Sequence, residues 1–203
     1  MIQIFDCEQG SEDWFRLRLG VPTASNFSTI MAHGRGGGES KGRDTLMRKL
    51  AGEILTGEPA ERYSNSSMER GKEMEAEARN LYAFTNEVEL TRVGFVRNGI
   101  MGCSPDSLIG TDGALEVKTQ APHLLIETLT KGSFPPEHRA QCQGTLLVTE
   151  RQWIDLIVYY RGMPPLIIRQ ERDEGYIEQI KESVTVFEYD LRQLVKRIKE
   201  IGA

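Results

Sequence analysis

Three charged residues in the middle of the chain have the types and spacing of a hydrolytic metal site. Asp106 follows Cys-Ser-Pro, and Glu116 and Lys118 stand two residues apart after a Thr-Asp-Gly turn. Asp-Gly between two short apolar runs is a strong hairpin signal. A hairpin would bring Asp106 close to Glu116, and strand alternation would put Glu116 and Lys118 on one face. Two carboxylates and an ammonium suit a hard divalent cation together with a positioned water.

The same spacing has a plainer interpretation. A Glu-x-Lys pair on an exposed strand face is usually solvated surface charge. Glu75 is a further candidate, because it borders the apolar stripe of a predicted helix. Its carboxylate is either a metal ligand or the i+4 partner of Arg79. The spacing alone leaves both alternatives open.

Length and composition fit one ordinary globular domain. The chain has 203 residues, of which 39% are hydrophobic and 27% charged, so residues 1–203 are expected to form a single domain. The net charge of −5 does not by itself indicate a nucleic-acid binder. The charge is uneven, however, with five basic and two acidic residues from Arg35 to Lys49. A local positive field can therefore exist on an acidic protein.

Cysteine usage and hydropathy argue against several classes of protein. Cys7, Cys103 and Cys142 are widely spaced and form no CxxC pair, which disfavours a disulfide framework and a zinc or iron–sulfur site. The N-terminal residues lack the basic segment and long apolar run of a signal peptide. No window is long and apolar enough to span a membrane. We therefore expect a cytoplasmic protein with no membrane association.

Apolar periodicity predicts helices first, then strands, then a long closing helix. Helices are predicted over residues 11–19, 44–56, 68–85, 122–129, 137–148 and 173–201, with a short one beginning near residue 23 or 25. Strands are predicted over residues 91–98, 152–160 and 166–172, with short strands around the Asp-Gly turn. This order predicts an α/β or α+β fold with one central mixed β-sheet flanked by helices.

The segment from Gly34 to Gly38 cannot hold a regular element, because four of its five residues are glycine. Arg35 stands in this segment. Composition leaves two interpretations open: a plain linker, or a loop that becomes ordered on a ligand.

The order of the chemical residues resembles that of a known superfamily. Glutamate on a helix, aspartate on a strand, Glu-x-Lys on the next strand and glutamine on the following helix is the order of the PD-(D/E)xK nucleases. The chain further resembles the lambda-phage exonuclease type, the YqaJ-type viral recombinase family. The motifs that carry this resemblance are Gln9-Gly10-Ser11-x-x-Trp14, Arg18-Leu19-Gly20-x-x-Thr23-Ala24-Ser25, Gly71-Lys72-x-x-Glu75-x-x-Ala78-Arg79, Cys103-Ser104-Pro105-Asp106, Leu115-Glu116-Val117-Lys118 and Ala140-Gln141-x-Gln143.

The resemblance implies a restriction-endonuclease-like core and a metal site. Asp106, Glu116 and the backbone carbonyl of Val117 would hold Mg²⁺, and Glu75 would complete a second metal site. Two Mg²⁺ ions per active site are implied, with Mn²⁺ able to substitute. Activated water and neutralised phosphate oxygens are what phosphodiester hydrolysis requires.

The resemblance also implies roles for residues that do not bind metal. Lys118 would orient the attacking water and stabilise the charge on the phosphorane, and Gln141 would help to position that water or the metal shell. Arg18, Ser25 and Ser104 would hold the 5′-terminal phosphate, for which a guanidinium and two hydroxyls are apt. Ser25 could also be only a helix N-cap, and the two roles are compatible.

Two further matches concern the DNA duplex. Arg35 matches an arginine that reaches into the minor groove of the incoming duplex. Met68 matches an apolar wedge that splits the terminal base pair. The alternative for Met68 is a core residue at the start of a helix.

The family resemblance implies a Mg²⁺-dependent, processive 5′→3′ exonuclease on linear double-stranded DNA with a 5′-phosphorylated end. It would release 5′-mononucleotides and leave 3′ overhangs for annealing recombination. A ring-shaped homotrimer, a single-strand annealing protein of the same phage, and a phage or prophage origin are also implied. Two alternatives stay open: a Cas4-like or RecB-like nuclease, and a catalytically silent DNA-end binding protein on the same fold.

Overall fold

A computed structural model describes residues 1–34, 38–60 and 66–201, without the side chains of residues 66–69. Arg35 and the side chain of Met68 lie outside this description, so their contacts with DNA stay predictions. The residues that flank positions 35–37 are described, and they are hydrogen-bonded to each other. His33 and Glu39 form an antiparallel bridge, and the Gly34 amide donates to the Gly38 carbonyl at 2.7 Å.

The described chain contains eight strands and seven α-helices. The strands are β1 (Ile2–Phe5), β2 (Leu90–Thr91), β3 (Phe95–Asn98), β4 (Met101–Cys103), β5 (Ser107–Ile109), β6 (Gly113–Thr119), β7 (Trp153–Tyr159) and β8 (Leu166–Glu171). The helices are α1 (Glu12–Arg18), α2 (Phe27–Met31), α3 (Lys41–Thr56), α4 (Ser66–Asn86), α5 (Pro122–Lys131), α6 (Arg139–Thr149) and α7 (Glu174–Ile201). Short 3₁₀ helices precede α2 and α6, at Ala24–Asn26 and Pro136–His138.

The main sheet has five strands in the order β2-β5-β6-β7-β8. β6 and β7 are parallel, whereas the other neighbouring pairs are antiparallel, which confirms the prediction of a mixed sheet. The predicted hairpin is present, because Ser107 pairs with Leu115 across the Asp-Gly turn. Asp106 therefore immediately precedes β5, opposite the part of β6 that carries Glu116.

Helices cover both faces of the main sheet. On one face, α4 packs Ala78 and Tyr82 against alternate residues of β6 and β7. On the other face, the remaining residues of these strands join α3, α6 and α7 in a larger core. β6 and β7 are buried on both sides, which explains why they read as nearly continuous apolar runs.

The prediction of a single sheet was incomplete, because β1, β3 and β4 form a second, three-stranded sheet. The strand predicted over residues 91–98 is in fact two strands, β2 and β3, in different sheets. The chain changes sheet at Gly94, whose amide donates to the Phe5 carbonyl at 3.0 Å. A Cβ at Gly94 would lie 2.3 Å from the Cys7 carbonyl oxygen, so the close approach of two backbones requires glycine here.

The long closing helix is amphipathic. Its buried stripe consists of Ile177, Ile180, Val184, Phe187, Leu191 and Val195. None of the helices in the described ranges is long and apolar enough to cross a membrane.

Gly102 in β4 offers a test of the packing within the second sheet. A Cβ at this position would lie 2.1 Å from Cζ of Phe95, a ring with no solvent exposure. We expect Gly102→Ala to lower the free energy of unfolding by about 1–3 kcal/mol. Gly52→Ala in α3 is the matched control, because its Cβ would meet nothing within 4 Å. It should stabilise the protein by about 0.5–1 kcal/mol. Urea unfolding of both variants checks the pair, and equal effects would contradict the packing.

Candidate active site

The central residues of the site lie at the C-terminal end of β6, beyond the point where β5 stops covering its edge. Oδ2 of Asp106 accepts a hydrogen bond from the Val117 amide at 2.6 Å. The N–H and C=O of one strand residue project to the same side. The Val117 carbonyl therefore faces the same side as its amide, towards Asp106.

Glu116 is 3% exposed, so the interpretation of Glu116 and Lys118 as solvated surface charge is wrong. Its Oε1 lies 2.7 Å from Nζ of Lys118 and also accepts a hydrogen bond from the Gln141 side-chain amide. Its Oε2 is buried and has no hydrogen-bond partner among the described residues. A buried carboxylate oxygen without a partner is costly unless a cation or another donor reaches it.

Gln141 joins the two charged residues of β6. It lies in the first turn of α6, and its Oε1 accepts a hydrogen bond from Nζ of Lys118 at 3.0 Å. Ala140, Gly144 and their buried neighbours fix this helix against the core. The structure therefore brings Gln141, Glu116 and Lys118 together, and the roles that the resemblance implies for them stay predictions.

Glu75 lies on α4 and lines the same cleft. Its carboxylate accepts a hydrogen bond from Arg79, so the structure shows the ion pair that the sequence offered as the second interpretation. The metal-ligand interpretation of Glu75 stays a prediction. The described side chains of His, Cys, Asp and Glu include no ready-made group of three that could hold a metal ion. Glu75 would have to turn from Arg79 towards Asp106 and Glu116 to complete such a group.

Burial and like charges perturb the acids of the site. The pKa of Asp106 is raised well above its usual value by burial and then by the charges of Glu116 and Glu75. Burial also raises the pKa of Glu116, against the opposing effect of Lys118. Burial alone would lower the pKa of Lys118, but the Glu116 carboxylate outweighs it, and the pKa of the ammonium is raised. Lys118 is therefore protonated near neutral pH.

A second group of residues adjoins these acids. Nη1 of Arg18 donates to Oγ of Ser104 at 3.1 Å, and Nε1 of Trp14 donates to the same oxygen at 2.9 Å. The Arg18 guanidinium lies 4.1 Å from the centroid of the Trp14 ring. Ser104 therefore accepts two hydrogen bonds, which leaves its own hydroxyl proton to donate to an anion. Burial lowers the pKa of Arg18 to about 10, so the guanidinium stays positively charged at neutral pH.

Ser25 is exposed within the 3₁₀ helix, and its hydroxyl lies 3.1 Å from Oγ1 of Thr23. The N-cap interpretation of Ser25 is wrong, because Thr23 precedes the 3₁₀ helix and Asn26 precedes α2.

One cleft of about 240 Å³ connects both groups. It is lined by Gln9, Trp14, Arg18, Thr23, Ala24, Ser25, Glu75, Ser104, Asp106, Glu116, Val117, Lys118, Gln141 and Thr145. Nine of the eleven residues predicted for the site are therefore on its walls, and the other two are Arg35 and Met68.

Sequence reasoning assigned no role to several residues of the cleft. Trp14 entered the sequence analysis only as part of a family motif, although its i,i+4 spacing to Arg18 could have indicated a stacked pair. Gln9 donates to the carbonyls of Val93 and Pro105, each at 3.1 Å, and so fixes the backbone just before Asp106. No local pattern indicates that contact, because its partners are more than 80 residues away in sequence.

The donor set of the cleft fits a hard divalent cation. Asp106 and Glu116 supply carboxylate oxygens, Oε2 of Glu116 lacks a partner among the described residues, and the Val117 carbonyl faces the same side. Carboxylate and carbonyl oxygens are the ligands that Mg²⁺ prefers in proteins.

Comparison with protein-family models matches residues 13–152 to the YqaJ-like viral recombinase domain. The chain belongs to the YqaJ-like viral recombinase family. This confirms the resemblance inferred from the motifs. The matched range includes Arg18, Glu75, Asp106 and the Glu-x-Lys pair, so every residue lining the cleft except Gln9 lies within the family's domain. No curated protein gives a significant match.

Solved structures agree with this family. The alkaline exonuclease LHK-Exo from Laribacter hongkongensis is 31% identical, with a TM-score of 0.85, over 95% of this chain and 98% of that one. The same enzyme in complex with dAMP is 32% identical, with a TM-score of 0.86 and the same coverage. A phage-related exonuclease from Haemophilus somnus 129PT, 16% identical over 88% of this chain and 96% of that one, shares the fold with a TM-score of 0.65.

Proposed function

We propose that this protein is a Mg²⁺-dependent 5′→3′ exonuclease that digests linear double-stranded DNA from 5′-phosphorylated ends. The products would be 5′-mononucleotides and a duplex with a 3′ single-stranded overhang. Family membership and the likeness to an alkaline exonuclease that was crystallised with dAMP support a nuclease acting on DNA. The polarity, the metal and the end preference are the parts proposed here.

The proposal rests on one observation: two groups of side chains lie next to each other in one cleft. Asp106, Glu116 and Lys118 form a partly buried charged cluster, and Arg18 with Ser104 forms a cationic, hydrogen-bonding group beside it. A guanidinium with a neighbouring hydroxyl suits a terminal phosphate. A phosphate held there would bring the first phosphodiester bonds of the same strand towards the acids.

Asp106, Glu116 and the Val117 carbonyl would hold Mg²⁺, and Glu75 would contribute to a second ion. When bound, Mg²⁺ or a substituting Mn²⁺ neutralises charge on the scissile phosphate and makes a nearby water more acidic. The chain's own contribution is to keep these oxygens in place. The Val117 amide fixes Asp106, and Gln141 together with Lys118 fixes Oε1 of Glu116, so that Oε2 is left for the cation.

Lys118 would act as a donor and not as a base. Its ammonium has three protons, of which two are directed to Glu116 and Gln141. The third has no partner among the described residues and is available for a water or a phosphate oxygen. A raised pKa keeps this proton in place, so Lys118 can stabilise the negative charge that develops on the phosphate.

We extend the proposal to assembly and context. A ring-shaped homotrimer around the DNA would make digestion processive and would allow an acidic chain to bind DNA, because only the channel must be positive. A single-strand annealing protein of the same phage would use the 3′ overhang, and the reaction would take place in the bacterial cytoplasm. Sedimentation or light scattering of the purified protein tests the trimer.

The proposed activity is tested with linear and covalently closed duplex DNA, in Mg²⁺ or in EDTA. We expect mononucleotides from linear DNA in Mg²⁺, and no digestion of closed circles or in EDTA. Binding to DNA ends without cleavage in Mg²⁺ would instead indicate a silent end-binding protein, and nicking of circles would indicate an endonuclease.

Arg18→Ala should selectively remove the preference for a 5′ phosphate. Loss of a charged hydrogen-bonding partner costs about 1.5–3 kcal/mol, so cleavage of 5′-phosphorylated ends should fall by about 10- to 100-fold. Cleavage of 5′-hydroxyl ends should change much less. Arg16→Ala on the same helix is the control, because Arg16 is exposed and pairs only with Glu12 and Asp13 among the described residues. Equal losses on both kinds of end would contradict the phosphate assignment.

A further inference from the structure

A hydrogen-bonded group on the α4 side of the main sheet lies outside the cleft. Tyr82 of α4 donates its hydroxyl to Oδ2 of Asp155 in β7 at 2.5 Å. Arg169 of β8 donates to both oxygens of Asp155, at 2.8 and 2.9 Å, and stacks 3.6 Å from the Trp153 ring centroid. Tyr82 is 1% exposed and Asp155 is 5% exposed. We refer to these contacts as the Tyr82–Asp155 link.

The link is unusual because it places a carboxylate in an otherwise apolar layer. Around it, α4 and the main sheet pack Ala78, Leu115, Val117 and Ile157 together. Arg169 pairs with this carboxylate, but a well-packed apolar residue is often at least as stable as a buried ion pair. Stability alone therefore does not account for Asp155.

Hydrogen bonds are directional, so the link can fix the position of α4 on the sheet. Apolar contacts are non-directional, and a helix held by them alone can shift along a sheet. The buried Tyr82 hydroxyl favours one register, because in any other register it would lose Asp155 as its acceptor. Burial, with Asp155 as a further cause, raises the pKa of Tyr82, so its hydroxyl stays protonated and can donate.

The link also sets the direction in which α4 runs. Tyr82 contacts Asp155, whereas Glu77, earlier in α4, accepts a hydrogen bond from the Tyr159 hydroxyl at 3.2 Å, later in β7. α4 is therefore antiparallel to β7. Its beginning lies at the C-terminal ends of β6 and β7, where the cleft opens.

Glu75 lies seven residues before Tyr82, and so on the same face of the helix, two turns and about 10 Å away. A shift of α4 at Tyr82 would be transmitted along the helix to Glu75. Misplacement of a reacting group by about 1 Å can cost about 10²-fold in rate. The register of α4 consequently sets how far the Glu75 carboxylate lies from Asp106 and Glu116 when it turns from Arg79.

We propose that Tyr82 and Asp155 are positioning residues that hold α4 in the register required for Glu75 to bind a divalent cation in the cleft. This inference rests on the proposed function, in which Glu75 contributes to the second metal site. It assigns a role in metal binding to two residues that touch neither the cation nor the DNA.

A double-mutant cycle tests the inference through Mn²⁺ binding measured by calorimetry. Tyr82→Phe keeps the buried ring and removes only the donor. We expect it to weaken Mn²⁺ binding by about tenfold, the size of effect seen when a partner behind a metal ligand is lost. The turnover rate should fall by a similar factor, with KM for DNA changed by less than about twofold. In a Glu75→Gln background, Tyr82→Phe should have no further effect on Mn²⁺ binding.

Arg151→Lys is the control for a general loss of stability. The Arg151 guanidinium donates to the carbonyls of Ile109, Gly110 and Gly113, at the opposite end of β6. This variant should lower the unfolding temperature without changing Mn²⁺ affinity.

Three results would overturn the inference: unchanged Mn²⁺ binding in Tyr82→Phe, an equal loss in both backgrounds, or normal binding in Glu75→Gln. Wild-type protein that binds Mn²⁺ but cuts no DNA would overturn the proposed function instead. In that case the double-mutant cycle of Mn²⁺ binding would still decide the role of Tyr82.

Discussion

Lys118→Ala should reduce Mg²⁺-dependent cleavage by about 10²–10³-fold, the cost of removing one donor aimed at developing charge. The substitution removes the ammonium that contacts Oε1 of Glu116 and the amide oxygen of Gln141. It leaves Arg18 and Ser104 in place, so affinity for 5′-phosphorylated duplex should change by less than about twofold. Single-turnover cleavage and fluorescence anisotropy in EDTA measure the two quantities separately.

Lys181→Ala is the matched control for Lys118→Ala. Lys181 is an exposed lysine of α7 that pairs with Glu178 on the surface. It should cleave at the wild-type rate. A Lys118→Ala protein that cleaves within about threefold of wild type would show that Lys118 is not the donor required by this mechanism.

Asp106→Asn should abolish activity and yet stabilise the metal-free protein near pH 8. Removing one charge relieves its repulsion with Glu116 and Glu75, while the asparagine side-chain oxygen can still accept from the Val117 amide. A gain of about 1 kcal/mol would raise the unfolding temperature by about 2–4 °C in EDTA. Mg²⁺ should stabilise the wild type and have no effect on the variant.

The sign of the pH dependence follows from the raised pKa values of Asp106 and Glu116. The folded protein binds these protons more tightly than the unfolded chain does. Stability of the metal-free protein should therefore fall as pH rises from the ordinary carboxylate pKa towards the raised values in the folded state. The stabilising effect of Mg²⁺ should be larger near pH 8 than near pH 5, because protons compete with the cation for the same oxygens.

Thermal unfolding in EDTA and in Mg²⁺ at both pH values checks these expectations. Asp112→Asn, in the exposed turn at the other end of β6, is the control and should change neither the unfolding temperature nor its response to Mg²⁺. A lower unfolding temperature for Asp106→Asn in EDTA near pH 8 would contradict the prediction that repulsion by Glu116 and Glu75 destabilises the metal-free protein.

The hairpin at the centre of the site could be predicted because its determinants are local. An Asp-Gly turn fixes the pairing of Ser107 with Leu115, and strand alternation then places Glu116 and Lys118 on one face. The closing helix was predictable for the same reason, since a periodic apolar stripe alone specifies its buried side.

The second sheet and the residues that support the cleft depend on contacts that no local pattern encodes. Gly94 separates two strands of different sheets, but glycine within an apolar run also fits a bulge. Gln9 and Trp14 reach backbone and side-chain partners 80 or more residues away. The burial of Glu116 was equally invisible, because exposure of a Glu-x-Lys pair depends on what packs over the strand.

The most direct test of a joined recognition and cleavage site uses a linear duplex with a 5′ phosphate at one end only and separately labelled strands. We expect Mg²⁺ to release labelled 5′-mononucleotides from the phosphorylated strand, starting at that end, while its complement stays intact over the digested region. Release from 3′ ends, or equal release from phosphorylated and hydroxyl 5′ ends, would contradict the assignment of Arg18, Ser104, Asp106 and Glu116 to one cleft acting on one strand.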